Sequence, residues 1–259
     1  MSDQTEMTKV LVVPDIHGNW KEALKFIKNN KDKVEKVVCL GDYVDDFDES
    51  LNGKVMIDGF RELTELAKKE PEKFCLCIGN HDYAYIHGSR CSGFHEEYAV
   101  AYKTMFDDAK DYLNIAYNIQ GVVYSHAGFG MWFCKILLDK TGKEQLEVED
   151  VNKLYKSNPE FFDFIFVEGE APDKTGDSKY QGPLWIRPKS LIHQLYYPVQ
   201  AVGHTELVIG DNTKPLAVTP QGRQELLLLF DRPDHGGFMV FENMNNFLWI
   251  TAEKKEEQE

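Results

Sequence analysis

No stretch of the chain approaches the roughly 20 consecutive apolar residues that a membrane-spanning helix requires, and the opening residues Met1 to Thr8 are polar. A membrane anchor and an export segment are therefore not expected, and cytoplasmic residence is. Positive charge is scarce: 29 Lys and Arg stand against 43 Asp and Glu, a formal net charge of -14. Binding along a polyanion is driven by Lys and Arg displacing counterions, so a nucleic-acid polymer is not an expected partner, although one phosphate in a locally positive pocket remains possible. Paired cysteines are also missing. The five present are an odd number, and Cys39, Cys75 and Cys77 fall in strand-like apolar runs, which points to buried reduced thiols. Cys75 and Cys77 alternate onto one strand face with no second pair to complete a zinc site. Neither an internal repeat nor a low-complexity segment is evident.

What is present is the composition of a folded globular chain, 42% hydrophobic and 12% aromatic, which leaves disorder only for the ends. The 259 residues and their strand-then-helix order favour one α/β domain over 1–252, followed by an almost wholly charged, disordered tail over 253–259. An apolar run at 10–14 precedes helical spacing of Trp20, Ala23, Leu24 and Ile27. A second run at 36–40 precedes Ile57, Phe60, Leu63, Leu66 and Ala67 on one stripe of a helix over 54–69, and a third run occupies 74–78. Three such units in succession imply a parallel sheet with helices on its faces.

Residues 83–95 lack clean periodicity and read as a loop over the strand ends, with a helix following over 96–112. The runs 113–119 and 122–125 flank Gln120-Gly121 as a tight hairpin. Segments 130–138 and 148–166 read as helices and 168–182 as an exposed loop. Beyond Val199, short runs at 199–202, 206–209, 215–218, 224–230, 237–241 and 247–251 read as antiparallel strands closing a second sheet. The expected fold is α/β, two packed mixed sheets with helices outside.

The strand ends carry the chemistry. Val10 to Pro14 leads to Asp15-Ile16-His17-Gly18; Val37 to Leu40 leads to Gly41-Asp42-Tyr43-Val44-Asp45; Phe74 to Ile78 leads to Gly79-Asn80-His81-Asp82. Later runs end in Ser125-His126-Ala127-Gly128 and Gly203-His204-Thr205. Any one of these reads plainly as a polar turn capping a strand. Five of them deliver Asp, His and Asn to the sheet edge where open α/β proteins bind ligands, and that donor set suits divalent cations of intermediate softness.

Taken together, the five blocks resemble the metallophosphoesterase superfamily, the calcineurin-like phosphoesterases, in order from Asp15 to His204. Within it, Gly41-Asp42-Tyr43-Val44-Asp45 is most similar to the phosphoprotein phosphatase branch and its bacterial relatives, which include symmetrical dinucleoside tetraphosphate hydrolases. The resemblance implies a four-layer α/β/β/α sandwich and two divalent metal ions, manganese first, with iron, zinc or nickel as alternatives. It implies Asp15, His17 and Asp42 on the first ion and Asp42, Asn80, His126 and His204 on the second, with Asp42 bridging. Water shared by the ions is then the implied nucleophile, and His81, oriented by Asp45, the implied acid for the leaving oxygen. The implied substrate is a phosphomonoester, phosphoserine or phosphothreonine in a protein foremost. The alternatives are a dinucleoside polyphosphate, its base stacked on Tyr83, Tyr85 or Phe94, and a metal-bound scaffold without turnover.

One position departs from that branch. Where it carries Arg directly after the aspartate matching Asp45, this chain has Asp46, in a stretch that also holds Asp48 and Glu49. Arg187, in a Trp-x-Arg stretch like that of some bacterial members, and Arg90, after the central motif, are the candidates to grip phosphate beside Asn80. Asp46 is expected to turn outward, since a carboxylate aimed at the phosphate repels it. Asp82 and Thr205 read as structural, and His87, His95, His193 and His235 are left outside the site.

Overall fold

The computed structural model describes residues 8–46, 53–205, 216–218, 226–230, 237–243 and 246–251. Strands β1 (Val10–Val13), β2 (Lys36–Cys39), β3 (Phe74–Cys77) and β4 (Leu113–Asn114) pair in parallel, in that order. The hairpin β10 (Gly237–Asn243) and β11 (Asn246–Thr251) adds antiparallel to the free side of β1. The second sheet runs β5 (Ala116–Ile119), β6 (Val122–Ser125), β7 (Val199–Val202), β9 (Leu226–Leu229) and β8 (Leu216–Val218).

The two-residue period of these strands sorts the core into layers. Val10, Val12, Val38, Cys75 and Cys77 from the first sheet meet Val122, Tyr124, Val199, Ala201, Leu226 and Leu228 from the second. The alternate residues Leu11, Val13, Val37, Cys39 and Leu76 pack on helices α1 (Trp20–Asn30) and α2 (Gly53–Lys69) through Trp20, Ala23, Ile27, Phe60 and Leu63. On the far side of the second sheet, Val202, Leu227 and Leu229 meet Leu191 and Leu195. Two face-packed sheets with helices outside are thus the result. The expected βα units and the hairpin are present. Gln120 and Gly121 both adopt left-handed backbone, φ 50° and 84°, which a two-residue turn requires.

Four expectations are corrected. The loop foreseen over 83–95 begins only at Gly88, because α3 (Asn80–His87) continues from the central motif. Residues Asn80 to Tyr85 are all buried, so this helix has no polar face to give an amphipathic signal. The run 113–119 is two strands in two different sheets, turned at Ile115, where the Asn152 side chain accepts the N–H groups of Ile115 and Ala116 at 3.1 and 3.2 Å. Helix α4 (Val148–Ser157) stops before Pro159, whose ring disfavours helical backbone in the preceding residue. Finally, β7 lies parallel to β6 and β9, and β10 and β11 belong to the first sheet. Alternation in a short strand identifies its faces but carries nothing about its partner. The run 206–209, and the tail 253–259, lie outside the described residues.

Candidate metal centre

The ends of β2 and β3 are fixed to each other by backbone contact. Asp82 accepts the N–H groups of Asp42, Tyr43 and Gly79 at 2.8, 2.8 and 2.9 Å, so one buried carboxylate joins both loops. Gly41, at φ +106°, lies so close that an added Cβ would sit 2.4 Å from the Gly79 nitrogen, and a Cβ on Gly79 would sit 2.1 Å from Asp42 Oδ1. Side chains at the ends of β1, β2 and β7 stand on strained backbone: His17, Asp42, Asp45 and His204 all have left-handed φ, between 44° and 67°. Asp and His tolerate that region better than most residues, yet each such position costs about 1–3 kcal/mol and persists only where the surroundings enforce it.

The Asp42 carboxylate is central. Its Oδ2 lies 3.4 Å from His17 Nε2 and 3.5 Å from His126 Nε2, and its Oδ1 accepts the His81 N–H at 3.0 Å. His126 Nδ1 donates to the Leu40 carbonyl at 3.0 Å, which leaves Nε2 with a lone pair. Around that nitrogen stand Asn80 Oδ1 at 2.9 Å and His204 Nδ1 at 3.0 Å. Asp15 Oδ2 accepts the His204 N–H at 2.9 Å, while its Oδ1 is buried with no hydrogen-bond partner. Acceptors facing acceptors, with an orphaned carboxylate oxygen among them, form an arrangement that cations satisfy.

Charge tells the same story. Burial, and then the Asp42 charge, pushes the Asp15 carboxyl well up; burial, and then Asp82, does so for Asp42. Burial holds His126 well below the ordinary imidazole value, and burial with the Arg187 charge lowers His204 to about 3. Neutral imidazoles keep their lone pairs for a ligand, and crowded carboxylates lose their mutual repulsion when a divalent cation enters. His17, Asp42 and His81 form one candidate ligand group and Asp42, His126 and His204 another, and the two share Asp42.

Beside them His81 donates from Nδ1 to Asp45 Oδ2 at 2.9 Å. Tyr85 donates its hydroxyl to the other Asp45 oxygen, and its own oxygen accepts the His95 N–H at 2.8 Å. Tyr85 was not foreseen in this role. It lies three residues beyond Asp82 in a stretch without periodicity, and only the helix from Asn80 turns it toward Asp45. A cavity of about 550 Å³ opens over this group, lined at its floor by Asp15, His17, Asp42, Asn80, His81 and His204.

The sequence model of the calcineurin-like phosphoesterase family matches residues 8–205, more than half of the chain. The chain belongs to this family. It is a phosphoesterase on that ground, of a dimetal-dependent kind. No curated protein matches it closely in sequence. Solved structures share the fold at low identity. The cold-active protein-tyrosine phosphatase of a psychrophilic Shewanella species aligns at 17% identity and a TM-score of 0.59, over 95% of this chain and 81% of its own. A protein serine/threonine phosphatase from Saccharomyces cerevisiae aligns at 16% identity and 0.56, over 98% and 83%.

The rim of the phosphoesterase cavity separates the two candidate arginines. Arg187 lines it, donating Nε to the Thr175 carbonyl at 3.0 Å and Nη1 to Thr205 Oγ1 at 3.4 Å, and no carboxylate among the described residues pairs with its charge. Thr205, read as purely structural, thus steadies the guanidinium. Arg90 also lines the cavity but is 70% exposed and bound to Glu96. Asp46 is half-buried and is not among the lining residues. Asp48, Glu49 and His235 lie outside the described residues. His87 meets the Tyr155 hydroxyl and His95 meets Glu97, both away from the cavity lining. The rings proposed to stack a base are occupied: Tyr83 and Tyr85 are buried, and Tyr85 stacks on Phe94 at 4.4 Å.

Proposed function

We propose that this phosphoesterase hydrolyses phosphomonoesters at a pair of divalent cations, with phosphoserine or phosphothreonine in proteins as the leading substrate class. The observation that supports the reading is the set of donors around one carboxylate, Asp42: His17 and His126 each face its Oδ2, Asn80 and His204 meet His126 Nε2, and Asp15 accepts the His204 N–H. Asp15, His17 and Asp42 would hold the first ion, and Asp42, Asn80, His126 and His204 the second. Manganese is the leading candidate for this mixed set of three oxygen-donor and three imidazole side chains, in which no thiol takes part. Cations so held activate water near neutral pH and neutralise the phosphoryl oxygens.

The chain's own groups do the rest. The Asp42 backbone is clamped by Asp82, so the shared carboxylate keeps its place as charge develops. His81, with Nδ1 committed to Asp45, presents Nε2–H to the leaving oxygen and transfers its proton as that oxygen departs. Asp45, held by Tyr85, fixes the imidazole and favours its charged form against the effect of burial. Arg187 takes a non-bridging phosphate oxygen in its planar fork. An intact acid pair beside a complete donor set weighs against a scaffold without turnover.

The test is a screen of metal-depleted and manganese-loaded protein against phosphoserine and phosphothreonine peptides, small monoesters, diesters and dinucleoside polyphosphates. Metal-dependent turnover of monoesters is expected, and turnover confined to diesters or dinucleotides would overturn the substrate assignment. In the same assay Arg187→Lys keeps the charge but loses the fork, so kcat/KM should fall by about 10-fold, the scale of one charge-assisted hydrogen bond. An unchanged kcat/KM would relegate Arg187 to a structural support of the Thr175 and Thr205 segments.

A further inference from the structure

Beyond Arg187, one side of the cavity is a run of aromatic rings. Phe164, Phe166 and Trp185 all line it. Phe164 stands 5.0 Å from Phe166 and 5.4 Å from Trp185, centroid to centroid, the second pair edge to face. The wall is built into the fold at its inner end. The Trp185 indole N–H donates to the Phe162 carbonyl at 3.2 Å, and Gly176, on left-handed backbone at φ 81°, lies against the Phe164 ring. Arg187 lies two residues beyond Trp185 and donates to Thr175, the neighbour of Gly176, so the guanidinium is carried by the same segment as Trp185 and is tied to the one that faces Phe164. At the outer end Phe166 is 80% exposed.

A single exposed phenylalanine is unremarkable on a protein surface. Three neighbouring rings along one side of a cavity whose other lining includes Arg187 and the Asp42 cluster are different. Among the described residues these rings pair only with one another, and a flat ring entering with a phosphate would pack against them while the phosphate meets Arg187 and the Asp42 cluster. We propose that Phe164, Phe166 and Trp185 form a subsite for a planar aromatic group attached to the substrate's phosphate. This rests only on the reading of the cavity as a phosphoester site and adds to it: an ester that carries a ring gains contacts that an alkyl ester such as phosphoserine leaves unused.

The intrinsic reactivity of aryl esters would confuse a rate comparison, so the test uses non-hydrolysable probes. Benzylphosphonate and ethylphosphonate are compared as competitive inhibitors of the manganese-loaded protein, with quenching of Trp185 fluorescence as a second readout. Benzylphosphonate should bind roughly 3- to 10-fold more tightly, the scale of one aromatic pair. Phe166→Ala, which removes an exposed side chain and so spares the fold, should erase that preference and leave ethylphosphonate unaffected; Phe166→Trp should restore it. Equal inhibition by the two probes in the parent protein, or equal weakening of both by Phe166→Ala, would overturn the subsite while the phosphoester reading stands. If the protein turns over no phosphoester and binds neither probe, both fall. Phosphotyrosine and adenosine monophosphate as competitors distinguish the two sources of such a ring, an aryl ester or a nucleoside base.

Discussion

Asp42→Asn is expected to lose tightly bound metal and to reduce phosphoester turnover by roughly 10³-fold or more, since a metal's stabilisation of developing charge is worth several kcal/mol. The fold should survive the change. Asn tolerates the left-handed backbone at position 42, φ 53°, and its carbonyl can still accept the His81 N–H that Asp42 Oδ1 accepts at 3.0 Å. In the absence of metal the substitution should even stabilise the protein slightly. Burial, and then Asp82, disfavours the charged Asp42 carboxyl, and a neutral amide escapes both effects. The diagnostic is therefore a pair of melting curves, with chelator and with manganese. The parent protein should gain stability on adding metal, by mass action on a site that exists only in the folded state. The Asn variant should melt at or above the parent in chelator and gain little from metal. Two retained ions at full rate would refute the shared-carboxylate assignment.

The donors were legible in the sequence because each is a short polar block at the end of an apolar run, and chain geometry alone sends such blocks to one sheet edge. The three parallel units were equally plain, since Trp20, Ala23, Leu24 and Ile27, like Phe60, Leu63 and Ala67, repeat at helical spacing with polar residues between. What stayed hidden depends on long-range packing. Helix α3 is buried around most of its girth, so its sequence carries no stripe, and with that helix went the position of Tyr85 and the stacking of Tyr85 on Phe94. The Asn152 side chain that turns the chain from β4 into β5 lies 37 residues from Ile115. The aromatic wall draws Phe164 and Phe166 to Trp185 across a loop with no regular period. The acceptor role of Thr205 toward Arg187 likewise becomes visible only when two distant segments meet.

The second large effect concerns His81. His81→Asn should keep both metals and lose about 10² to 10⁴ in kcat on alkyl phosphates, the usual contribution of a positioned general acid, with a much smaller loss on p-nitrophenyl phosphate, whose leaving group departs without a proton. A rival assignment is carried by the geometry itself, because a His81 nitrogen also lies within reach of His17 and Asp42 as part of a possible ligand group. The two roles place different demands on the ring. Nδ1 is committed to Asp45 Oδ2 at 2.9 Å, and the ring stands edge-on to His17 at 4.9 Å, so only Nε2 is left, either to bind an ion or to carry a proton. Metal content separates the cases before any rate is measured: loss of an ion in His81→Asn makes His81 a ligand, and retention of both leaves the proton. Leaving-group dependence then decides whether that proton is transferred in the rate-limiting step. Equal losses on the alkyl and p-nitrophenyl esters, with both metals in place, would remove the acid role and reduce the His81–Asp45–Tyr85 chain to a support for the strained Asp45 backbone, φ 61°.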